Sequence, residues 1–174
     1  MKELILGGAR SGKSAFAERL AQRSGLAVTY IATAEVGEDS EMRARIAAHR
    51  RRRPAHWALE ETPRQLGETL KRCAAPGRLV LIDCLTLWLT NLLLAEEGRM
   101  ANELERFEQA LAAAPGPVLL VSNEVGQGVV PIDALSRRFV DETGQLHQRL
   151  AQQCERVWWV VAGLPQRLKG PTDE

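Results

Sequence analysis

Residues Gly7-Gly8-Ala9-Arg10-Ser11-Gly12-Lys13-Ser14 satisfy the pattern G-x-x-x-x-G-K-[ST] at every fixed position. An apolar triplet, Leu4-Ile5-Leu6, precedes the pattern. A stretch with Phe16, Ala17 and Leu20 at helical spacing follows it. The pattern carries chemistry only in that context, strand then loop then helix. A glycine-rich turn lets several N–H donors converge on phosphate oxygens, because no Cβ blocks the approach. The helix that starts near Lys13 adds the positive end of its dipole. Lys13 then places a point charge on the β- and γ-phosphates, and the Ser14 hydroxyl is suited to Mg²⁺. The competing reading is a glycine-rich turn with a chance Lys-Ser after it, and the flanking strand and helix argue against that.

The rest of the chain alternates short apolar runs with helical patterns. Strands are predicted at Ala27–Thr33, Trp57–Glu60, Leu79–Ile82, Val118–Val121 and Val157–Val161. Helices are predicted at Lys13–Arg23, Ser40–Arg52, Pro63–Ala74, Leu85–Glu96, Met100–Ala113 and Leu135–Gln153. Strands apolar on both faces and separated by helices indicate a mostly parallel sheet covered on two sides, an α/β fold. No Pro/Gly-rich linker divides the chain, so residues 1–169 are read as one domain, with a frayed polar tail at 170–174.

Composition narrows the function classes. At 174 residues, about 70% of the unfolded surface is buried on folding, and no disulfide or metal staple is needed. The 23 Lys and Arg against 22 Asp and Glu leave a charge of +1, so there is no overall field to hold nucleic acid. Cys73, Cys84 and Cys154 are odd in number and lack metal-ligand spacing. The chain opens on Met-Lys-Glu and runs directly into the first strand, and its most apolar stretch, Leu85–Ala95, is short and interrupted by Thr and Asn. The expectation is a cytoplasmic protein without a signal peptide or membrane span.

Two further strand ends carry polar chemistry. Asp83 follows Leu79-Val80-Leu81-Ile82, placed to hold Mg²⁺ directly or through water, or else to cap the next helix. Ser122-Asn123-Glu124 ends another strand, and ligands of open α/β sheets gather at the carboxyl ends. Asn123 and Glu124 are candidates for substrate or γ-phosphate contact, or for turn and capping duty before Gly126 and Gly128. His49 directly precedes Arg50-Arg51-Arg52-Arg53. Arginines at a helix end can clamp a triphosphate, and a neutral imidazole among them can attack phosphorus. The same pattern also suits a solvated basic helix or, weakly, RNA binding. His56 precedes Trp57 in a loop or strand start, and His147 is read as lying on a polar helix face.

Several segments together resemble one family. They are Gly7–Ser14, Tyr30–Ala34, Glu41–Ile46 with His49, Arg53–Trp57 with Glu61, Thr90–Leu93, Ser122–Gly126 with Gly128 and Pro131, and Ala162–Pro165. The resemblance runs from about Glu3 to Lys169 and is to the bifunctional adenosylcobinamide kinase/adenosylcobinamide-phosphate guanylyltransferases of cobalamin biosynthesis. It implies a RecA-like P-loop NTPase fold, a homotrimer, and two reactions. In the first, ATP or GTP phosphorylates adenosylcobinamide. In the second, GTP guanylylates a histidine, and adenosylcobinamide phosphate then takes up the GMP to give adenosylcobinamide-GDP. Matched by position, that histidine is His49. The implied GTP contacts are Gly7, Gly8, Ala9, Arg10, Ser11, Gly12, Lys13, Ser14, Thr33, Ala34, Glu35, Arg50, Arg51, Arg52, Arg53, Glu61 and Asp83. His147-Gln148 stands where the family often has Asn-Gln. The competing readings are a monofunctional P-loop kinase of a small alcohol or nucleoside, and a non-enzymatic GTP-dependent regulator.

Overall fold

The computed structural model describes residues 1–35, 54–95 and 98–171. The predicted helix at Ser40–Arg52, with His49 and Arg50–Arg53, lies outside the described residues. Seven strands form one sheet: β1 (Lys2–Gly7), β2 (Ala27–Ala32), β3 (Ala58–Glu61), β4 (Arg78–Asp83), β5 (Val118–Asn123), β6 (Arg156–Val161) and β7 (Leu164–Lys169). Their order is β3-β2-β4-β5-β1-β6-β7. All pairings are parallel except β6 with β7. The helices are α1 (Lys13–Arg23), α2 (Leu66–Cys73), α3 (Leu85–Leu93), α4 (Arg99–Ala113) and α5 (Ala134–Gln153).

The two-residue side-chain period of the strands divides the core in two. Leu4, Leu6, Val80, Ile82, Val118 and Leu120 join Trp88, Phe107, Leu146 and Leu150 from α3, α4 and α5. Ile5, Leu79, Leu81, Leu119 and Val121 point the other way, onto Phe16, Ala17 and Ala21 of α1. The continuous apolar runs of the central strands are therefore required, since both faces are covered. Trp88 and Phe107 are fully buried and meet edge to face with centroids 5.0 Å apart.

Helices α2 and α4 approach so closely that a Cβ on Gly67 would lie 2.8 Å from the backbone of Arg106 and Phe107. Gly67→Val is therefore expected to destabilise the fold by about 1–3 kcal/mol through overpacking. That is several degrees in Tm for a chain of this size, and a thermal melt of the variant checks it.

Some predicted boundaries move. Pro63 does not open a helix: α2 begins at Leu66, and the Pro63 carbonyl instead accepts from the Asn91 side chain at 2.9 Å. Strand β5 continues through Ser122 and Asn123. The segment after Gly163 forms β7, whose final residue Lys169 donates from Nζ to the carbonyls of Ala151 and Gln152. Lys169 is thus part of the sheet rather than a fraying end.

Candidate active site

The phosphate-loop pattern lies between the carboxyl end of β1 and the start of α1. Its backbone is shaped by positive φ at Arg10 (57°) and Gly12 (93°). The turn closes with the Ser11 amide donating to the Gly8 carbonyl at 3.3 Å. Crowding explains two of the glycines. A Cβ on Gly7 would meet Ser11 Oγ and the Val160 carbonyl at 2.5 Å, and one on Gly12 would meet Gly163 Cα at 3.1 Å. Around Gly8 nothing lies within 4 Å of such a Cβ, so that side of the loop is open. The Gly163 amide donates to the Ser11 carbonyl at 2.8 Å, tying the loop to the β6–β7 turn.

Lys13 is 8% exposed, and its Nζ donates to the Gly8 carbonyl at 3.0 Å. Burial pushes its pKa down, and the neighbouring Asp83 works against that. A buried ammonium folded back on its own loop is poised for an anion held there. Ser14 is half-buried in the first turn of α1.

Asp83 ends β4, two strands away from β1 across β5, and accepts from the Tyr30 hydroxyl at 3.0 Å. It does not cap α3. Cys84 holds that position and makes no side-chain capping bond. A carboxylate and a hydroxyl are oxygen donors suited to Mg²⁺, which keeps most of its remaining shell for water and phosphate. Among the described residues no group of three or more His, Cys, Asp and Glu could hold a metal by itself.

The other predicted residues are distributed along the same carboxyl edge. Thr33 is fully buried. Its hydroxyl donates to the Cys84 carbonyl at 2.6 Å and accepts from the Cys84 amide at 3.0 Å. The Asn91 amide holds the Thr33 carbonyl at 2.8 Å. Thr33 thus shapes the wall rather than presenting a free hydroxyl. Ala34 is half-buried, and Glu35 is exposed with Arg64 at 3.5 Å. Ala9, Arg10 and Glu61 are also exposed. Glu61 ends β3, four strands from the loop. At about 4.8 Å per strand that is roughly 19 Å, beyond a phosphate gripped by Lys13 but within the span of a whole nucleotide.

The sequence missed a network at the end of β5. Asn123 donates from Nδ2 to Thr86 Oγ1 at 2.9 Å. His147 is buried, not on a polar face. Its Nε2 lies 2.7 Å from Ser122 Oγ, and its Nδ1 lies 3.7 Å from Glu124 Oε2. The signal was available: Thr143, Leu146, His147, Leu150 and Cys154 recur at helical spacing, and all are buried. Burial lowers the His147 pKa from 6.5, against the pull of Glu124. The unfolded chain therefore binds this proton more readily than the folded one. Stability is unaffected above about pH 6.5 and declines as pH falls below it, until the folded pKa is passed. Urea midpoints at pH 7.5 and 5.5 check this, and His147→Asn removes that part of the decline.

The fold is similar to solved P-loop ATPases at low sequence identity. RadB recombinase aligns with a TM-score of 0.50 at 19% identity, covering 91% of this chain and 73% of that one. An ATPase of a bacterial type III secretion system aligns with a TM-score of 0.51 at 10% identity, covering 95% of this chain and 56% of that one. Closer likeness is in sequence. The bifunctional adenosylcobalamin biosynthesis protein CobP of Pseudomonas aeruginosa is 60% identical over 171 residues, 98% of each chain. The bifunctional adenosylcobalamin biosynthesis protein CobU of Salmonella typhimurium is 41% identical over 185 aligned positions, covering 97% of this chain and 100% of that one. A family profile described as cobinamide kinase/cobinamide phosphate guanyltransferase matches residues 3–168, from the first strand through the phosphate loop into β7. With its phosphate loop, strand-end carboxylates and near-complete sequence match, this chain belongs to the cobinamide kinase/cobinamide phosphate guanyltransferase family.

Proposed function

We propose that the chain carries out both reactions of its family at one triphosphate site. The family match over residues 3–168 is the observation that carries this reading. In the kinase step, ATP or GTP lies with its phosphates in the Gly7–Ser14 loop. The hydroxyl of adenosylcobinamide attacks the γ-phosphorus, and nucleoside diphosphate leaves. Lys13 and the loop amides stabilise charge on the transferring group. Ser14 and Asp83 would hold Mg²⁺, which supplies further charge neutralisation.

In the guanylyl step, a nitrogen of His49 attacks the α-phosphorus of GTP and pyrophosphate leaves. The phosphate of adenosylcobinamide phosphate then displaces His49, giving adenosylcobinamide-GDP. A covalent intermediate divides one displacement between two large anions into two steps. A phosphate loop supplies no nucleophile for the α-phosphorus, and His49 flanked by Arg50, Arg51, Arg52 and Arg53 provides both a nucleophile and a clamp. Thr33, Ala34, Glu35 and Glu61 line the path from the loop along the carboxyl edge, in keeping with a nucleotide laid across the strands. Residues 1–169 act as one catalytic unit.

By family resemblance the assembly is a homotrimer in the cytoplasm. No described helix is long and apolar enough to cross a membrane. Light scattering gives the oligomeric state. The activity is tested by incubating the chain with adenosylcobinamide, GTP and Mg²⁺ and separating the corrinoids. The expected products are adenosylcobinamide phosphate and adenosylcobinamide-GDP. Recovery of unchanged adenosylcobinamide alone would contradict the reading.

A further inference from the structure

We propose that Glu124, set by the buried ring of His147, is the carboxylate that takes the proton from the attacking hydroxyl in the phosphoryl-transfer step. The inference rests on the kinase reading above and adds the one group that reading leaves unnamed.

Three observations carry it. First, Glu124 is fixed beside the phosphate loop. Strand β5 lies between β1 and β4, and the Glu124 amide donates to the Gly7 carbonyl at 3.1 Å. The carboxylate thus starts from the backbone position next to the first loop residue, between β1, which leads into the loop before Lys13, and β4, which ends on Asp83. Second, both carboxylate oxygens are oriented. Oε1 accepts from the Gly126 amide at 2.5 Å, and Oε2 faces His147 Nδ1 at 3.7 Å. Among the described residues no Lys or Arg pairs with it. The side chain is 21% exposed, so one edge reaches solvent or substrate.

Third, His147 is built into the interior between Ser122 and Glu124. Its Nε2 is anchored by the buried Ser122 hydroxyl at 2.7 Å, while its Nδ1 is buried with no hydrogen-bond partner. At 3.7 Å the contact to Glu124 is longer than a hydrogen bond. A buried N–H without an acceptor is costly, and among the described residues the Glu124 carboxylate is the charged acceptor facing it. With the proton on Nδ1, Nε2 accepts from the Ser122 hydroxyl, and a small closure satisfies both ring nitrogens. His147 is thus a positioning residue, and Glu124 is the group that meets the substrate.

The step balances without a further reactant. The hydroxyl oxygen bonds to the γ-phosphorus as the bond from that phosphorus to the β,γ-bridging oxygen breaks. Nucleoside diphosphate leaves with the electron pair. The hydroxyl proton passes to Glu124 and from its exposed edge to water. The guanylyl step needs no such base, because its acceptor is already a phosphate anion.

Single substitutions in the full chain test this. Glu124→Gln keeps an acceptor for the Gly126 amide but cannot take a proton. It is expected to lower kcat for adenosylcobinamide phosphorylation by about 10²–10⁴-fold. The KM values and labelling of the protein by α-labelled GTP should be unchanged. His147→Asn places an amide nitrogen near the position of Nδ1, and His147→Gln places one near Nε2. Asn should retain most of the kinase kcat, whereas Gln should lose on the order of 10–100-fold through misplacement of Glu124, with KM unaltered. A purely structural histidine would instead make activity follow thermal stability in both variants. Glu124→Gln with a wild-type kinase rate, or a Gln variant more active than the Asn variant, overturns the proposal. A wild-type chain that phosphorylates no corrinoid would remove the kinase reading itself, and the inference with it.

Discussion

Lys13→Ala is expected to lower both activities strongly while the fold persists. The expected loss in the kinase step is about 10²–10³-fold, the scale for removing one preorganised charged donor from a transferring group. Nucleotide affinity is expected to fall as well, because under the proposed function the ammonium meets the phosphates in the ground state. The stability effect should be opposite in sign. Burial already disfavours the Lys13 cation, and among the described residues its donor contact is to the Gly8 carbonyl. Removing it relieves that desolvation, so the melting temperature without nucleotide is retained or rises. Isothermal titration with GTP beside a thermal melt separates the two effects. Wild-type affinity in the variant would refute the role of the loop in either reaction.

His49→Ala gives the second large effect, and it is selective. Transfer of GMP to the protein is expected to disappear, because the proposed reaction makes His49 the nucleophile. His56 is exposed in a loop before β3, and His147 is buried and bound to Ser122. Phosphorylation of adenosylcobinamide continues, since Lys13, Ser14 and Asp83 are intact. Corrinoid therefore accumulates as adenosylcobinamide phosphate in the variant and as adenosylcobinamide-GDP in the wild type. Loss of both products from a folded variant would contradict separable roles.

The parts of the site that were legible from sequence are those where local chemistry admits few solutions. Helix α1 is found at the predicted residues Lys13–Arg23, because the glycine loop fixes where it starts and Phe16, Ala17 and Ala21 fix its inner face. The central strands announced themselves as apolar runs because both faces are buried. What was hidden depends on pairing across the fold. Strand β7, Leu164-Pro-Gln-Arg-Leu-Lys169, mixes apolar and polar residues and is almost wholly exposed, and its strand character comes from its antiparallel partner β6. The place of Asp83 depends on Tyr30 from the neighbouring strand. His147 is expected on a polar helix face, whereas it is buried and its sequence neighbours Gln145 and Gln148 are the exposed ones. The family resemblance names Thr33 but not its latch onto Cys84, since the two are 51 residues apart.

The same pairings explain the thiols. Cys84 is enclosed beside Asp83 with its pKa pushed up to about 11, and burial pushes Cys154 up to about 12. Neither is a thiolate near neutral pH, so histidine rather than cysteine is the side chain suited to a covalent nucleotide intermediate.

Under the proposed function, one phosphate loop serves attack at two different phosphorus atoms because His49 reaches the α-phosphate. Incubation with GTP labelled at the α-phosphate, followed by denaturation and peptide mapping, tests it most directly. The account predicts an acid-labile, base-stable GMP adduct on the peptide containing His49, absent from His49→Ala and discharged by adenosylcobinamide phosphate. An unlabelled wild-type protein that still forms adenosylcobinamide-GDP, or a label on any other residue, would contradict it.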